Sequence, residues 1–168
     1  MALVKKIGLI ISIISFPESF CFGKDQSYGA CLKEMNLGLV PKICEMRNYA
    51  IITGNAMNAH MKCTLKSFGW SDNSAEIKVQ SVLNDARAVV GDLEKNIARC
   101  ARKAENASVN SKANQFYICM LQSNSKEIFK TIFDLRELKA LHRWKKQSFT
   151  FKAVADTMRR VDAEHRCH

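Results

Sequence analysis

Two consecutive helices decide the fold, and they lie in residues 111–138, which read SKANQFYICMLQSNSKEIFKTIFDLREL. The spacing of apolar residues predicts one helix over 111–121 and a second over 125–141, each opened by a serine. In the second helix the apolar residues cover most of the circumference, which is typical of a helix buried in a domain. This stretch contains no Pro, no Gly and no sustained alternation, so it predicts no strand.

The helical pattern continues on both sides of this stretch. Apolar residues recur at helical spacing over 55–68, 74–90, 93–104 and 149–165, and Ser74 is a predicted N-cap. Gly and Pro fall between these segments and not within them, as at Gly54 and Gly69. The predicted fold class is therefore all-α, with one domain over 24–168, six to eight helices and a C-terminal helix over 149–165.

The N-terminus has the pattern of a secretory signal peptide. Lys5 and Lys6 precede an apolar run over 7–16, which is half the length needed to span a bilayer. A cut after Gly23 would remove residues 1–23, although a buried N-terminal helix is the alternative. No later segment is apolar enough to span a membrane, so we expect a secreted, soluble mature protein without membrane insertion.

The cysteine count agrees with secretion. The chain has seven cysteines, an odd number that cannot pair completely, and the predicted cut removes Cys21. Six cysteines remain, and an even set in an oxidising compartment predicts three disulfides. The six remaining cysteines are Cys31, Cys44, Cys63, Cys100, Cys119 and Cys167.

The charge suggests one possible function. The predicted cut removes two Lys and one Glu, so the formal net charge falls from +10 to +9. A secreted cation of this size could bind heparin-like glycans or another anionic surface and act as an anticoagulant, or the charge could be an ordinary solvated face. The cations are concentrated near the C-terminus, at Arg143, Lys145, Lys146, Lys152, Arg159, Arg160 and Arg166.

An acidic pair lies on the apolar helix over 125–141. Asp134 and Glu137 are three residues apart, so both carboxylates project from one side. Burying two acids beside apolar residues is costly unless a cation meets them. The alternative is a surface pair in which Lys130 offsets Asp134 from four residues away.

Catalytic and metal motifs are not recognisable in the sequence. His60 and Cys63 could ligate zinc, but no second group of ligands has metal spacing, and a disulfide at Cys63 would exclude ligation. A histidine that lines a pocket or forms a hydrogen bond in the core is the preferred interpretation. We therefore expect neither an enzyme nor a bound metal or cofactor.

The cysteine spacing resembles that of the insect odorant-binding superfamily, a set of small secreted helical proteins that enclose an apolar pocket. The intervals are 32, 37 and 19 residues from Cys31 through Cys63 and Cys100 to Cys119. The usual six-cysteine pattern has two further cysteines, at positions held here by Ala59 and approximately Asn110. The resemblance implies the disulfides Cys31–Cys63 and Cys100–Cys119, which leaves Cys44 and Cys167 as the third pair.

Two stretches narrow the resemblance. Residues 45–70 read EMRNYAIITGNAMNAHMKCTLKSFGW, and together with residues 111–138 they resemble the short-form D-seven salivary proteins of blood-feeding flies. The similarity extends over about 31–141, and its motifs have fixed residues at fixed offsets. It implies a small-molecule site formed by Arg47, His60, Tyr117, Asp134 and Glu137.

That resemblance also implies a function. The expected protein is a salivary, monomeric scavenger of biogenic amines such as serotonin, histamine and noradrenaline, with no nucleic-acid partner. Asp134 and Glu137 would accept the ligand's ammonium, while Arg47, His60 and Tyr117 would bind polar groups at the other end of the pocket. An odorant or lipid carrier is the alternative from fold analogy. Candidate ring-packing residues are Phe116, Phe129, Phe133 and Trp144.

Overall fold

The computed structural model describes residue 31 and residues 38–86, 93–145 and 149–164. These ranges contain seven α-helices and, apart from an isolated bridge between Ser71 and Ile77, no β-structure, so the all-α prediction is confirmed. The predicted signal peptide, and the predicted domain limits at residues 24 and 168, lie outside the described residues. The helices follow a 3₁₀ turn, Val40–Lys42, and are α1 Ile43–Arg47, α2 Asn55–Ser67, α3 Val79–Ala86, α4 Leu93–Glu105, α5 Lys112–Leu121, α6 Lys126–Ala140 and α7 Phe151–Glu164.

Helix α6 connects the two apolar clusters of the core. Phe129, Ile132 and Phe133 pack into the larger cluster, which draws residues from α2, α3, α4 and α5. Leu135 and Leu138 pack into a smaller cluster with the apolar side of α7. Burial of each such side chain contributes about 1.5–3 kcal/mol, which explains why this helix is apolar on nearly every side.

Disulfides fix the helices around this core. Cys31 pairs with Cys63 on α2, and Cys100 on α4 pairs with Cys119 on α5, as the resemblance implies. They close loops of 32 and 19 residues, and each is expected to contribute about 2–4 kcal/mol. Cys44 on α1 is also disulfide-bonded, while its predicted partner Cys167 lies outside the described residues.

Gly69 lies just after the end of α2, in a backbone conformation that favours glycine. Gly69 has φ of 74°, its N–H donates to the Lys66 carbonyl at 2.9 Å, and the N–H of Trp70 donates to Leu65 at 2.8 Å. This is a Schellman turn, in which the left-handed position favours glycine. Leu65 and Trp70 are both fully buried, so the turn also forms a core contact.

The end of α2 is held against α6 by Arg136. Its Nε and Nη2 donate to the carbonyl of Phe68 at 3.0 and 2.7 Å. Asp85 on α3 lies 3.6 Å from the same guanidinium and accepts a hydrogen bond from the indole of Trp70 at 2.8 Å. These contacts bring α2 and α6 together, so side chains from both helices line one pocket.

One predicted helix start is wrong. Helix α3 begins at Val79 and not at residue 74, and Ser74 is not its N-cap. Asp72 instead accepts hydrogen bonds from the amide and hydroxyl of Ser74 and from the amide of Glu76. This local network competes with the helix and keeps the segment as a loop, with Ala75 at φ of 61°.

We predict that Gly69→Ala lowers the free energy of unfolding by about 1–2 kcal/mol, because alanine disfavours the left-handed region. Beyond residue 69 and its two chain neighbours, no described atom lies within 4 Å of the added Cβ, so the cost is conformational rather than steric. Gly69→Asn is the control and should lose less, since asparagine tolerates this region better. Denaturant unfolding measures both variants, and an alanine variant as stable as the wild type would contradict the assignment.

Candidate functional site

A pocket lies between α1, α2, α5 and α6. Its atom-free space, including the open mouth, is about 390 Å³. Methionines and aromatic rings form its walls, with charged and polar groups interspersed. The lining residues are Met46, Arg47, Tyr49, Met57, His60, Met61, Thr64, Tyr117, Phe133 and Glu137.

At one side of the pocket a single guanidinium meets three carboxylates. Arg47 Nη1 donates to Glu137 at 2.6 Å, its Nε donates to Asp162 at 2.6 Å, and its Nη2 lies 3.8 Å from Asp134. We call these four residues the acidic cluster. The side chains of Arg47, Asp134 and Glu137 are only 9%, 16% and 5% exposed, so water screens this cluster poorly.

The acidic cluster has more negative than positive charge when its carboxylates are ionised. One cation cannot neutralise three acids, and isolated charges are costly to bury. Burial raises the pKa of Asp134 to about 7, with Glu137 and Asp162 adding to the rise, while Tyr49 and Arg47 oppose it. A second cation in the pocket would therefore be stabilised.

The structure corrects two expectations about this cluster. Arg47 is expected to bind the ligand at the end of the pocket opposite the acids, but its guanidinium contacts all three of them. The alternative of a surface pair between Lys130 and Asp134 is also wrong. Lys130 Nζ pairs instead with Glu127 at 3.1 Å and lies 5.4 Å from the ring centre of Tyr49.

Tyr49 is a site residue that the sequence patterns do not reveal. Its hydroxyl donates to Asp134 at 2.5 Å and lies 3.1 Å from the Lys130 carbonyl, and burial raises its pKa well above 10. Its φ of 59° is left-handed, which costs a non-glycine residue about 1–3 kcal/mol. Residue spacing gives no signal for this residue, because a left-handed backbone conformation at a tyrosine is not recorded in the sequence.

Asp162 is a second site residue that the sequence patterns do not reveal. It lies on α7, 115 residues from Arg47 in the chain, where it resembles an ordinary counter-charge within the basic C-terminal segment. Its position on the helix does indicate a face, since it lies four residues after the buried Met158. No spacing rule connects it to α1, because only the packing of α7 on α6 brings the two groups together.

His60 provides a neutral polar group on another wall of the pocket. Burial lowers its pKa to about 4, and the backbone of Cys31 offsets this only in part. Its Nε2 lies 3.5 Å from the Thr64 hydroxyl, and Nδ1 has no hydrogen-bond partner of normal geometry within the described residues. The zinc alternative is excluded because Cys63 is in a disulfide.

Aromatic rings close the pocket between these polar groups. The ring of Tyr117 lies 6.4 Å from that of Tyr49 and 5.3 Å from that of Phe133, centre to centre. Of the four candidate ring-packing residues, Phe133 lines the pocket, and Phe116 and Phe129 pack in the core. Trp144 packs instead against the smaller cluster.

The described pocket therefore contains most of the predicted site. The pocket is lined by Arg47, His60, Tyr117 and Glu137. Asp134 accepts a hydrogen bond from Tyr49, which also lines the pocket. The arrangement offers buried carboxylates at one end, a neutral imidazole on another wall and flat aromatic surfaces between them.

We predict that Tyr49→Phe raises the pKa of Asp134 above its value of about 7, because the substitution removes a hydrogen bond that stabilises the ionised carboxylate. The carboxyl carbon of Asp134, followed by NMR across a pH titration, measures this shift. Thr131→Val is the control, since it removes a hydroxyl from α6 that bonds only the Glu127 carbonyl. An unchanged Asp134 pKa in the phenylalanine variant would contradict the assigned hydrogen bond.

Comparison of the sequence with known proteins identifies the family of this chain. Residues 25–123 match the model of the PBP/GOBP family. The chain is 28% identical to short form salivary protein D7R2 of Anopheles gambiae over 95% of each chain. It is 31% identical to D7R3 of the same species over 68% of this chain and 69% of that one.

A solved structure has the same fold. It is the Anopheles gambiae D7R4–norepinephrine complex, which superposes with a TM-score of 0.73 at 24% identity, covering 82% of this chain and 96% of that one. The chain belongs to the PBP/GOBP family and, within it, to the short-form D7, or D-seven, salivary proteins.

Proposed function

We propose that this protein is a secreted salivary scavenger that binds biogenic amines stoichiometrically and performs no chemistry on them. The observation that carries the proposal is the acidic cluster, in which one guanidinium faces three carboxylates beside an aromatic pocket. The D7R4 protein of the same fold forms a complex with norepinephrine, which is an amine of this kind.

The ligand's ammonium supplies a second cation beside Arg47, the one guanidinium that the described residues place against these acids. Asp134 and Glu137 accept its hydrogen bonds, which are stronger than neutral ones because both partners are charged. The flat ring of the ligand packs against Tyr117 and Phe133. Nδ1 of His60 then bonds a ring hydroxyl or ring nitrogen, which favours serotonin, histamine and noradrenaline over amines without such a group.

Two observations support action outside the cell. Residues 1–23 have the pattern of a signal peptide, and the named relatives are salivary proteins. In the described part of the chain no helix is both long and apolar enough to cross a membrane. Removal of free amines from host tissue would oppose vasoconstriction, platelet activation and inflammation.

The pocket is less suited to the alternative ligands. An odorant or lipid carrier gains affinity from an apolar cavity, whereas this pocket contains buried carboxylates and a guanidinium. The C-terminal cations proposed for anionic surfaces are partly neutralised, because Arg143 pairs with Glu164 at 3.1 Å and Arg159 with Asp156 at 2.5 Å. Amine binding therefore remains the proposal that the site geometry favours.

Calorimetry with serotonin, histamine and noradrenaline tests this proposal. A ligand of about a dozen heavy atoms can reach a Kd below about 1 µM within known ligand efficiencies. The double variant Asp134→Asn, Glu137→Gln should weaken binding by about a hundredfold or more, since it removes both ionised acceptors at constant size. The absence of heat with all three amines would overturn the proposal.

The control for the double variant makes the same chemical changes on the surface. Asp156→Asn with Glu164→Gln removes two carboxylates from the exposed ion pairs of α7. We expect this variant to bind amines as the wild type does. An equal loss in both variants would show that net charge, rather than the acidic cluster, controls binding.

We also predict that amine affinity falls as the pH drops through about 7. The pKa of Asp134 is raised to about 7 in the free protein, so below that pH the ammonium must displace a proton from it. The decrease approaches tenfold per pH unit, and it does not come from His60, whose pKa of about 4 keeps it neutral.

Calorimetry in buffers of different ionisation enthalpy counts the protons released at about pH 6. The expected value approaches one proton per amine bound, and Asp134→Asn should release none. Affinity that is constant or increases on acidification would contradict the role of Asp134.

A further inference from the structure

The exposed face of α4 has a row of four cations. Lys95, Arg99, Arg102 and Lys103 are spaced at i, i+4, i+7 and i+8, so they project from one side of the helix. All four are exposed, whereas the opposite side of α4 is buried in the core. We call these four residues the α4 basic stripe, which extends over about 12 Å at the rise of an α-helix.

Two acids also lie on α4, Glu94 in its first turn and Glu105 three residues after Arg102, but within the described ranges neither forms an ion pair with the stripe. None of the four side chains forms an ion pair with a described residue, and Arg99 donates only a neutral hydrogen bond, to Asn96 at 3.2 Å. Like charges one turn apart repel each other along a helix. A row of like charges without ion pairs favours a partner of opposite charge.

Two of the described C-terminal cations differ in this respect. Arg143 and Arg159 each pair with an acid, whereas Arg160, like Arg99, donates a neutral hydrogen bond, here to the Thr157 hydroxyl at 3.2 Å. Ion pairs within the protein compete with those to an external anion. The α4 basic stripe is thus better suited to an anionic partner than the segment with the greatest density of basic residues.

We propose that the α4 basic stripe binds a sulfated glycosaminoglycan chain lying along the helix. A narrow row of cations matches a linear, flexible polyanion, and Arg99 and Arg102 can form bidentate hydrogen bonds with its sulfate and carboxylate groups. The residues of α4 on this face include no exposed aromatic residue to stack on nucleic-acid bases and no exposed large apolar residue to insert into a bilayer.

The stripe is separate from the amine pocket. No residue of α4 lines the pocket, and α4 packs against α3 and α5. Glycan binding therefore does not depend on the proposed amine function, and either can fail without the other. If the protein has both activities, glycan binding would hold the amine scavenger at the tissue matrix where it is deposited.

The test measures binding of the mature protein to a heparin octasaccharide over a series of salt concentrations. Lys95→Gln, Arg99→Gln, Arg102→Gln and Lys103→Gln are combined in one variant. We expect its affinity at about 0.15 M salt to be at least about tenfold weaker, and the slope of log Kd against log salt to fall by about three.

The control removes the same number of lysines and arginines elsewhere. It combines Arg143→Gln, Lys145→Gln, Lys152→Gln and Arg159→Gln, which are exposed residues at the C-terminal side. This control should bind within about twofold of the wild type, and thermal unfolding verifies that both variants fold.

Three results would overturn the proposal. The first is a wild type that does not bind the octasaccharide at about 0.15 M salt. The second is an equal or greater loss in the control, which would assign binding to net charge or to the C-terminal cations. The third is stronger binding to duplex DNA or to phosphatidylserine vesicles than to the octasaccharide, which would assign the stripe to a different partner.

Discussion

The contact of Arg47 with three carboxylates is the interaction that organises the site. It joins α1 to α6 through Glu137 and to α7 through Asp162, so three parts of the chain meet at one guanidinium. A buried charge of this kind is stable only when its partners are fixed by packing. The apolar clusters on the two sides of α6, and the disulfides around them, provide that support.

The same contact would favour cationic ligands in the pocket, as the proposed function requires. Arg47 neutralises part of the negative charge and orders the acids, and among the described residues of the cluster the acids outnumber the cations. Tyr49 adds a hydrogen bond to Asp134 from a strained backbone conformation, a cost that functional sites tolerate when the surrounding structure fixes the residue. Such order in the free protein would reduce the ordering cost of binding the proposed ammonium.

Much of the fold could be predicted because it is encoded locally. The periodicity over 111–121 and 125–141 located α5 and α6, and Gly69 marked the end of α2. The acidic cluster was less predictable, since Arg47 meets Glu137 and Asp162 across 90 and 115 residues of chain. No pattern along the chain records those contacts, and a left-handed tyrosine is invisible in a sequence. The error at Ser74 had a local cause, because Asp72 forms a hydrogen-bonded loop that helix periodicity does not reveal.

We propose above that an amine places its ammonium against the acids beside Arg47. A crystal structure of the mature protein with serotonin tests this placement most directly. We predict the ammonium nitrogen within about 2.7–3.1 Å of carboxylate oxygens of Asp134 and Glu137, with the ring hydroxyl toward His60. A ligand in the reverse orientation, with its ammonium away from both carboxylates and its ring against Arg47, would contradict it.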